Sequence, residues 1–325
     1  MKIGESFSSR EVFGKTLVEL AEEYPRLAVF DADVCASTMT KYFRDEYPER
    51  FYQMGIAEAN MIGAAAGMAS VGWIPFVSTF AVFLATRATD QVRVSVAHAN
   101  LNVKLNGAYG GLPTGRAGAT HSAIEDIAIM RAMPNMKILV PADPVETRSA
   151  VRLALDTPGP VYLRTVRCAV PVIFDESHRM RLGVGTVLAE GKDAAIVSTG
   201  MMTPRCLEAA EILSREGIRV RHIHMGSVKP IDAELLRVAA RDCGLIVTVE
   251  NHGITGGLGG AVAETTAELE PCRVIRVGFP NVFLESGDDE LIFRKYGMDA
   301  SGIVEAVKRA LGSSRAGTGW KKCAS

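Results

Sequence analysis

The chain has 325 residues, 48% of them hydrophobic and 22% charged, with a formal net charge of −1. This length predicts about two domains, and the even charge balance excludes the basic surface that nucleic acids and anionic membranes require. The first residues carry no signal-peptide pattern, and no apolar run approaches the ~20 residues that span a bilayer. The six cysteines lack CxxC pairing, which favours reduced thiols over disulfides or a zinc site. We therefore expect a cytoplasmic protein without a nucleic-acid or membrane partner and without a metal site of its own.

In chain order, the first half alternates short β-branched runs with segments of helical period. Helices are predicted at residues 10–23, 58–71, 81–97, 124–132 and 144–155, and strands at 27–30, 75–78, 103–106, 137–140 and 161–165. Such alternation is typical of βαβ units around a largely parallel sheet. The first half is therefore predicted to form one α/β domain.

The pattern lapses in a charged stretch and then resumes, which predicts a linker followed by a second α/β unit. Strands are predicted at 184–188, 194–198, 220–224, 245–250 and 274–277, and helices at 204–216, 232–241, 258–269 and 300–311. The predicted organisation is a domain at 1–175, a linker at 176–190, a domain at 191–312 and a flexible tail at 313–325. The fold class is therefore α/β, with two domains that each have a mostly parallel sheet flanked by helices.

Three loops follow predicted strands at the sheet edge where ligands of open α/β folds bind. They span residues 31–37, 79–83 and 107–121, and they lie close together if their strands are neighbours. The third loop has five glycines in fifteen residues and ends at His121. A loop of that length in a compact domain is usually functional or disordered. We expect a functional loop, and the alternative for His121 is a polar surface group.

Glu58 stands at the start of a predicted helix that is rich in Ala, Gly and Met. An unpaired carboxylate buried at such a place costs on the order of several kcal/mol. Either a basic side chain or a ligand nitrogen must then meet it. The alternative is an N-terminal acid that the helix dipole favours, and the residues alone leave these readings open.

Six short motifs occur in an order that resembles the C-terminal half of transketolases. They are Gly55-Ile-Ala-Glu-Ala-Asn60, Ser78-Thr-Phe80, Asp90-Gln-Val-Arg93, Ala119-Thr-His121, Ile124-Glu-Asp-Ile127 and Val140-Pro-Ala-Asp-Pro-Val-Glu146. Six blocks in order are far more specific than one block alone, and the resemblance runs to about Leu311. It implies a thiamine-diphosphate-binding pyrimidine domain followed by a transketolase C-terminal domain, as in the second polypeptide of a split transketolase.

The resemblance implies transfer of a two-carbon ketol unit between sugar phosphates, with thiamine diphosphate carrying the hard chemical step. In this family the acid that matches Glu58 shares a proton with N1′ of the aminopyrimidine, and the rings that match Phe80 and Phe83 stack on it. His121 matches a histidine that faces the reacting carbons, where an imidazole can move a hydroxyl proton. Asp33 matches an acid close to the cofactor.

Further residues bear on the sugar substrate. Ser37 and Arg167 match the family's sugar-phosphate ligands, and Arg164 is a second candidate for the same anion, because the planar fork of arginine suits phosphate.

Two departures concern the same site. Transketolases usually carry a histidine at the place of Tyr109, and at the place of Ala117 an acid that reads the hydroxyl next to the aldehyde; Arg116 adds positive charge nearby. A site built to bind a hydroxyl discriminates strongly for it. We therefore hypothesise a non-standard aldose or ketose, with Tyr109 and Arg116 in the substrate site.

No Gly-Asp-Gly segment, with which this family holds Mg²⁺ on the cofactor's diphosphate, occurs in the chain. The resemblance therefore implies an N-terminal transketolase subunit as partner, which holds the diphosphate and Mg²⁺ in an α₂β₂ assembly. The alternatives are the β subunit of a 2-oxo acid dehydrogenase E1 component, a deoxyxylulose-phosphate-synthase-like enzyme, and a scaffold without catalysis. Pyruvate decarboxylation separates the first two from ketol transfer.

Overall fold

The computed structural model describes residues 1–112 and 114–316, and its first half forms an α/β unit. The strands of this half are β1 (Ser6–Ser8), β2 (Leu27–Asp31), β3 (Phe51–Gln53), β4 (Ile74–Phe80), β5 (Lys104–Ala108), β6 (Lys137–Leu139), β7 (Val161–Arg164) and β8 (Ala169–Pro171). Its helices are α1 (Ser9–Leu20), α2 (Cys35–Thr38), α3 (Lys41–Glu46), α4 (Glu58–Ser70), α5 (Ala81–Arg87), α6 (Thr89–Gln91), α7 (Asp126–Ala132) and α8 (Pro144–Asp156). A π-helical segment, Val92–His98, follows α6.

The second half is a smaller α/β unit. Its strands are β9 (Thr186–Ala189), β10 (Ala194–Ser198), β11 (Val220–His224), β12 (Ser227–Lys229), β13 (Leu245–Gly253) and β14 (Arg273–Phe279). Its helices are α9 (Met202–Arg215), α10 (Ala233–Cys243), α11 (Leu258–Leu269), α12 (Asp289–Lys295) and α13 (Ala300–Ala316). Within the described residues, no helix is long and apolar enough to cross a membrane.

The larger sheet has the order β12-β6-β7-β5-β4-β2-β3. Its strands are parallel except β12, which pairs antiparallel with β6. Strands β2, β4 and β5 are direct neighbours, with Asp31 opposite Ser78 and Ser78 opposite Asn106. The three loops predicted to lie together therefore do leave one edge of the sheet side by side.

The smaller sheet has the order β14-β13-β10-β11-β9 and is parallel except for β9. The predicted fold class, two α/β domains with mostly parallel sheets, is confirmed. The domains also share a sheet, because β12 comes from the second half and extends the sheet of the first.

Helices cover both faces of the larger sheet. Phe76 packs against residues of α1 and α8, and its neighbour Val77 packs against residues of α4 and α7. Successive strand residues point to opposite faces, so β4, with helices on both faces of the sheet, is buried from Pro75 to Thr79, including the polar residues Ser78 and Thr79.

Some element boundaries differ from those predicted. The single helix expected at 81–97 is divided into α5, α6 and the π-helical segment. The hydroxyls of Thr86 and Thr89 donate to carbonyls of the preceding turn, Val82 and Ala85 respectively, which competes with the regular helical ladder. Strand β9 begins inside the range predicted as linker. Helix α13 runs to Ala316, so part of the predicted tail is helical, and residues 317–325 lie outside the described residues.

Candidate functional site

Glu58 opens α4 at the carboxyl edge of the larger sheet, with its side chain 4% exposed. Nη1 of Arg87 lies 3.2 Å from Oε1 and 3.4 Å from Oε2 of Glu58. The Arg87 side chain is 48% exposed, so this ion pair joins a buried anion to a cation at the rim. Of the two partners that the sequence left open for Glu58, the structure supplies the basic side chain.

An aromatic wall stands beside this ion pair. Phe80 ends β4 and Phe83 lies in the first turn of α5, with their ring centroids 6.0 Å apart. The Cζ atom of Arg87 lies 3.8 Å from the Phe83 centroid, so the guanidinium covers that ring. Both rings are only partly buried, which leaves aromatic surface at the sheet edge.

His121 closes the same cluster from the long glycine-rich loop. Its ring centroid lies 5.2 Å from that of Phe83 and 6.1 Å from that of Phe80, in edge-on geometry. Its Nδ1 lies 2.9 Å from Oγ1 of Thr120. The segments that follow β3, β4 and β5 thus bring together the predicted acid, the two aromatic rings and the histidine, although β2 lies between β3 and β4 in the sheet.

Tyr109 connects the aromatic wall to a group of arginines. Its ring centroid lies 4.4 Å from that of Phe80, and its hydroxyl accepts a hydrogen bond of 2.8 Å from Nη1 of Arg10. The Cζ atoms of Arg10 and Arg167 lie 5.6 and 5.9 Å from the Tyr109 centroid. Nη1 of Arg10 also donates to the carbonyl oxygen of Ser37 at 2.9 Å. The predicted residues Ser37 and Tyr109 therefore meet at Arg10, and Arg167 lies near the ring of Tyr109.

Arg10 is a residue of this cluster that the sequence analysis does not predict. It lies in the first turn of α1, where a cation opposes the helix dipole, and this unfavourable placement is the signal that could have identified it. Its Nε atom is buried and has no hydrogen-bond partner within the described part of the chain. A buried donor without a partner is costly, which marks Arg10 as a candidate for binding a further group.

Asp31 fixes the loop that carries Asp33 and Ser37. Its fully buried carboxylate accepts hydrogen bonds of 2.8 Å from the hydroxyls of Thr38 and Thr40, and one of 2.6 Å from the amide of Val34. Burial raises the pKa of Asp31, although these hydrogen bonds oppose the rise.

Asp33 itself is exposed. It has φ 64°, a left-handed conformation that is uncommon outside glycine. Its amide donates to Oε1 of Gln53 at 2.7 Å, which ties the loop to the neighbouring strand β3.

Arg164 does not reach this cluster, which corrects its assignment as a second anion ligand. Its Nε and Nη2 donate to the two oxygens of Asp126 at 2.7 and 3.0 Å, and Nη2 also donates to the carbonyl of Asn251 at 3.0 Å. Burial pushes the pKa of Asp126 upward, but the charge and hydrogen bonds of Arg164 outweigh it and lower that pKa. Arg164 therefore joins the two domains, and its Nε and Nη2 donors are occupied.

Arg116 and Ala117 are exposed on the same long loop. The carbonyl of Arg116 accepts a hydrogen bond of 2.6 Å from the hydroxyl of Ser286, in a loop of the second domain. The structure therefore connects this segment to the second domain.

Metal ligands are not grouped in the described residues: no three His, Cys, Asp or Glu side chains there are arranged to hold an ion. The paired histidines His222 and His224 of β11 have protein partners instead. Nε2 of His222 lies 2.8 Å from Oγ of Ser198, and Nε2 of His224 lies 2.7 Å from Oε2 of Glu146.

Two family models match the chain, the transketolase pyrimidine binding domain over residues 5–172 and the transketolase C-terminal domain over residues 183–303. The 6-deoxy-6-sulfo-D-fructose transketolase subunit SqwH of Clostridium sp. (strain MSTE9) is 39% identical over 298 residues, 92% of this chain and 92% of that protein. One of the subunits of apulose-4-phosphate transketolase, from Phocaeicola vulgatus, is 38% identical over 299 residues, 92% of this chain and 96% of that protein.

A solved structure described as split gene transketolase, inactive beta4 tetramer, has 49% sequence identity to this chain and a TM-score of 0.88. The match covers 94% of this chain and 99% of that one. Similarity of this extent spans both sheets and the cluster at the sheet edge, and it defines the class as transketolase-type subunits. The chain belongs to the transketolase family and comprises its pyrimidine-binding and C-terminal domains, as the sequence motifs predicted.

Proposed function

We propose that this chain is the second, C-terminal subunit of a split transketolase, which transfers a two-carbon ketol unit between anionic sugars with thiamine diphosphate as cofactor. The observation that carries the proposal is the meeting of Glu58 with Phe80, Phe83 and His121 at one edge of the sheet. A buried acid beside exposed aromatic surface fits a flat ring that contains nitrogen. A histidine at the same place fits proton transfer to and from sugar hydroxyls.

Thiamine diphosphate, when bound, supplies the nucleophilic carbon that protein side chains lack. Glu58 is assigned the proton exchange with the pyrimidine nitrogen, because its carboxylate is the buried acid next to the aromatic surface. Phe80 and Phe83 are assigned to stack on the ring, and Asp33 to the neighbourhood of the cofactor. His121 is assigned the proton transfers at the reacting carbons.

Arg10 and Arg167 are assigned to the anionic group of the sugar. The Nη1 atom of Arg10 is held by Tyr109 and Ser37, and the buried Nε has no partner in the described residues, so we assign the rest of the guanidinium to the anion. Arginine binds phosphate and sulfonate oxygens with two donors of its planar fork at once. We assign Ser37 and Tyr109 to the substrate site through this arrangement.

The substrate is proposed to differ from ordinary pentose and hexose phosphates. The sequence has Tyr109 and Ala117 where the family usually has a histidine and an acid. Two similar proteins are named for other sugars, one for 6-deoxy-6-sulfo-D-fructose and the other for apulose 4-phosphate. Arg116, exposed beside Ala117, is the charge that we propose to lie closest to the altered hydroxyl position.

A partner subunit is proposed to hold the diphosphate and Mg²⁺, because the chain contains no Gly-Asp-Gly segment. The solved relative described as a β4 tetramer is named inactive. We infer that this chain requires an N-terminal transketolase subunit, in an α₂β₂ assembly. The described cysteines are free thiols, which favours a reducing compartment such as the cytoplasm.

The test is activity of the complex formed with the co-purified N-terminal subunit, with Glu58→Gln as the decisive variant. Loss of a positioned acid–base group lowers kcat by about 10²–10⁴-fold. Ketol transfer is measured with xylulose 5-phosphate, a 6-sulfo-ketose and a branched ketose phosphate as donors. Glu268→Gln, an exposed acid on α11, is the matched control and leaves kcat unchanged.

Three results contradict the proposal. Full activity of Glu58→Gln points to a scaffold, and pyruvate decarboxylation in place of ketol transfer points to the E1-type or deoxyxylulose-phosphate-synthase-like alternatives. Efficient turnover of xylulose 5-phosphate with ribose 5-phosphate removes the case for an unusual sugar but leaves the transketolase assignment.

A further inference from the structure

Arg87 makes two contacts at once in the pyrimidine-binding surface. Its Nη1 lies within 3.4 Å of both oxygens of Glu58, and its Cζ lies 3.8 Å from the centroid of Phe83. The guanidinium is flat, delocalised and rich in N–H donors. It therefore stacks on an aromatic ring and faces a carboxylate. These are the same two contacts that we propose for the pyrimidine ring of the cofactor.

These contacts are mutually exclusive with a bound ring. A group stacked less than 4 Å from Phe83 fills the layer that a second flat group needs on that face. Nη1 of Arg87 also lies in front of both oxygens of Glu58 and takes one of the acceptor positions of the carboxylate. Arg87 must therefore move before a pyrimidine can use the same acid and the same face of the ring.

The position of Arg87 makes that movement simple. It is the last residue of α5, and its side chain is 48% exposed, whereas that of Glu58 is 4% exposed. A long side chain at the rim can turn into water without disturbing the core. Without either partner, the carboxylate of Glu58 would be buried and unpaired, which is strongly unfavourable.

We propose that Arg87 is an internal stand-in for the pyrimidine, which pairs with Glu58 and covers Phe83 until the cofactor displaces it. The proposal rests on the proposed function, because it requires thiamine diphosphate to bind at Glu58. It gives Arg87 two effects of opposite sign. Arg87 stabilises the cofactor-free subunit, and it weakens cofactor binding in the assembled enzyme by competing for the same contacts.

The experiment compares Arg87→Met and Arg87→Ala with wild type in two measurements. Arg87→Met keeps an apolar stem over Phe83 without the charge, so it serves where the shorter variant fails to fold. Calorimetric titration of thiamine diphosphate into the reconstituted complex with Mg²⁺ is expected to give a Kd about three- to tenfold lower than wild type. The Tm of the free subunit without cofactor is expected to fall by about 2–4 °C.

Arg215→Met is the matched control, because Arg215 also pairs with a glutamate, Glu211, but on the exposed surface of α9. It leaves both measurements unchanged. A second control is the pair of variants Glu58→Gln and Glu58→Gln/Arg87→Met. If Arg87 acts through Glu58, adding Arg87→Met to Glu58→Gln lowers the Tm of the free subunit less than it does in the wild type.

If the wild-type complex binds thiamine diphosphate and both Arg87 variants bind it equally well or more weakly, the hypothesis that Arg87 is a stand-in is refuted. The proposed function is not affected by that result. Weaker binding specifically makes Arg87 a residue that helps to hold the cofactor. Absence of thiamine diphosphate binding in the wild-type complex refutes the proposed function, and the stand-in falls with it.

Discussion

The hydroxyl of Tyr109 accepts a hydrogen bond from Arg10, 99 residues earlier in the chain, at 2.8 Å. This bond ties the first turn of α1 to the loop after β5. Tyr109 has φ 60°, a left-handed conformation that costs a non-glycine residue about 1–3 kcal/mol. The tyrosine ring lies between Phe80 and the two arginines, so one residue connects the aromatic wall to the arginine group.

Tyr109→Phe is expected to raise KM for the sugar donor about three- to tenfold and to change kcat little. The variant keeps the ring against Phe80 but removes the hydrogen bond that orients Arg10, and a bond between a neutral and a charged group contributes about 1.5 kcal/mol. Steady-state kinetics of the reconstituted complex measure the effect. Tyr42→Phe, on α3, is the control, and a fall in kcat at constant KM would contradict the assignment.

His121→Asn is expected to lower kcat by about 10²–10⁴-fold, because an amide occupies a similar space but does not accept and release a proton near neutral pH. The Kd for thiamine diphosphate should stay within about twofold of wild type, since Glu58 and the two phenylalanines remain. His98→Asn, an exposed histidine at the end of the π-helical segment, is the comparison. An unchanged kcat indicates that His121 is a polar surface group.

Arg164→Met is expected to destabilise the chain by about 3–5 kcal/mol, because it leaves the buried carboxylate of Asp126 without its counter-ion. Denaturant unfolding of the free subunit measures the loss. The double variant Arg164→Met/Asp126→Leu should recover part of it, since no buried charge then lacks a partner. Full stability of the single variant, with a raised KM for the sugar, would return Arg164 to the anion site.

Stability in acid is expected to depend on Glu146, which joins α8 of the first domain to His224 of the second. Burial raises the pKa of Glu146, but the charge of His224 and hydrogen bonds from His178 and His224 prevail and lower it to about 2. The unfolded chain therefore binds the proton more readily, so this contribution is complete above about pH 4.5 and is lost as the pH falls towards 2. It amounts to roughly 3 kcal/mol.

Unfolding free energies measured from pH 6 to pH 2 test this. Glu146→Gln should be less stable than wild type at pH 6 and should lose less stability on acidification. Glu268→Gln, an exposed acid, should follow the wild-type curve. Parallel curves for wild type and Glu146→Gln rule out the linkage.

The sequence by itself determined the alternation of strands and helices and most of the sheet-edge cluster. The elements of parallel α/β units can be predicted from short stretches of sequence, because each strand and each helix has its own period of apolar residues. Glu58, Phe80 and His121 also lie in short motifs at or beyond the carboxyl ends of β3, β4 and β5, the edge at which ligands of open α/β sheets bind. The proximity of Phe80 and the loop of His121 follows from the pairing of β4 with β5, whereas Glu58 follows β3, which β2 separates from β4.

Tertiary structure decided what depends on contacts between distant residues. Arg164 and Arg167 are three positions apart, yet the first lies within β7 and pairs with buried Asp126, whereas the second lies beyond the strand and reaches Tyr109. Arg10 meets its partners only when α1 packs beside the loop after β5. The pairing of Glu58 with Arg87 likewise could be identified only from the tertiary structure, because the order of charged residues along a chain does not predict which cation contacts a buried acid.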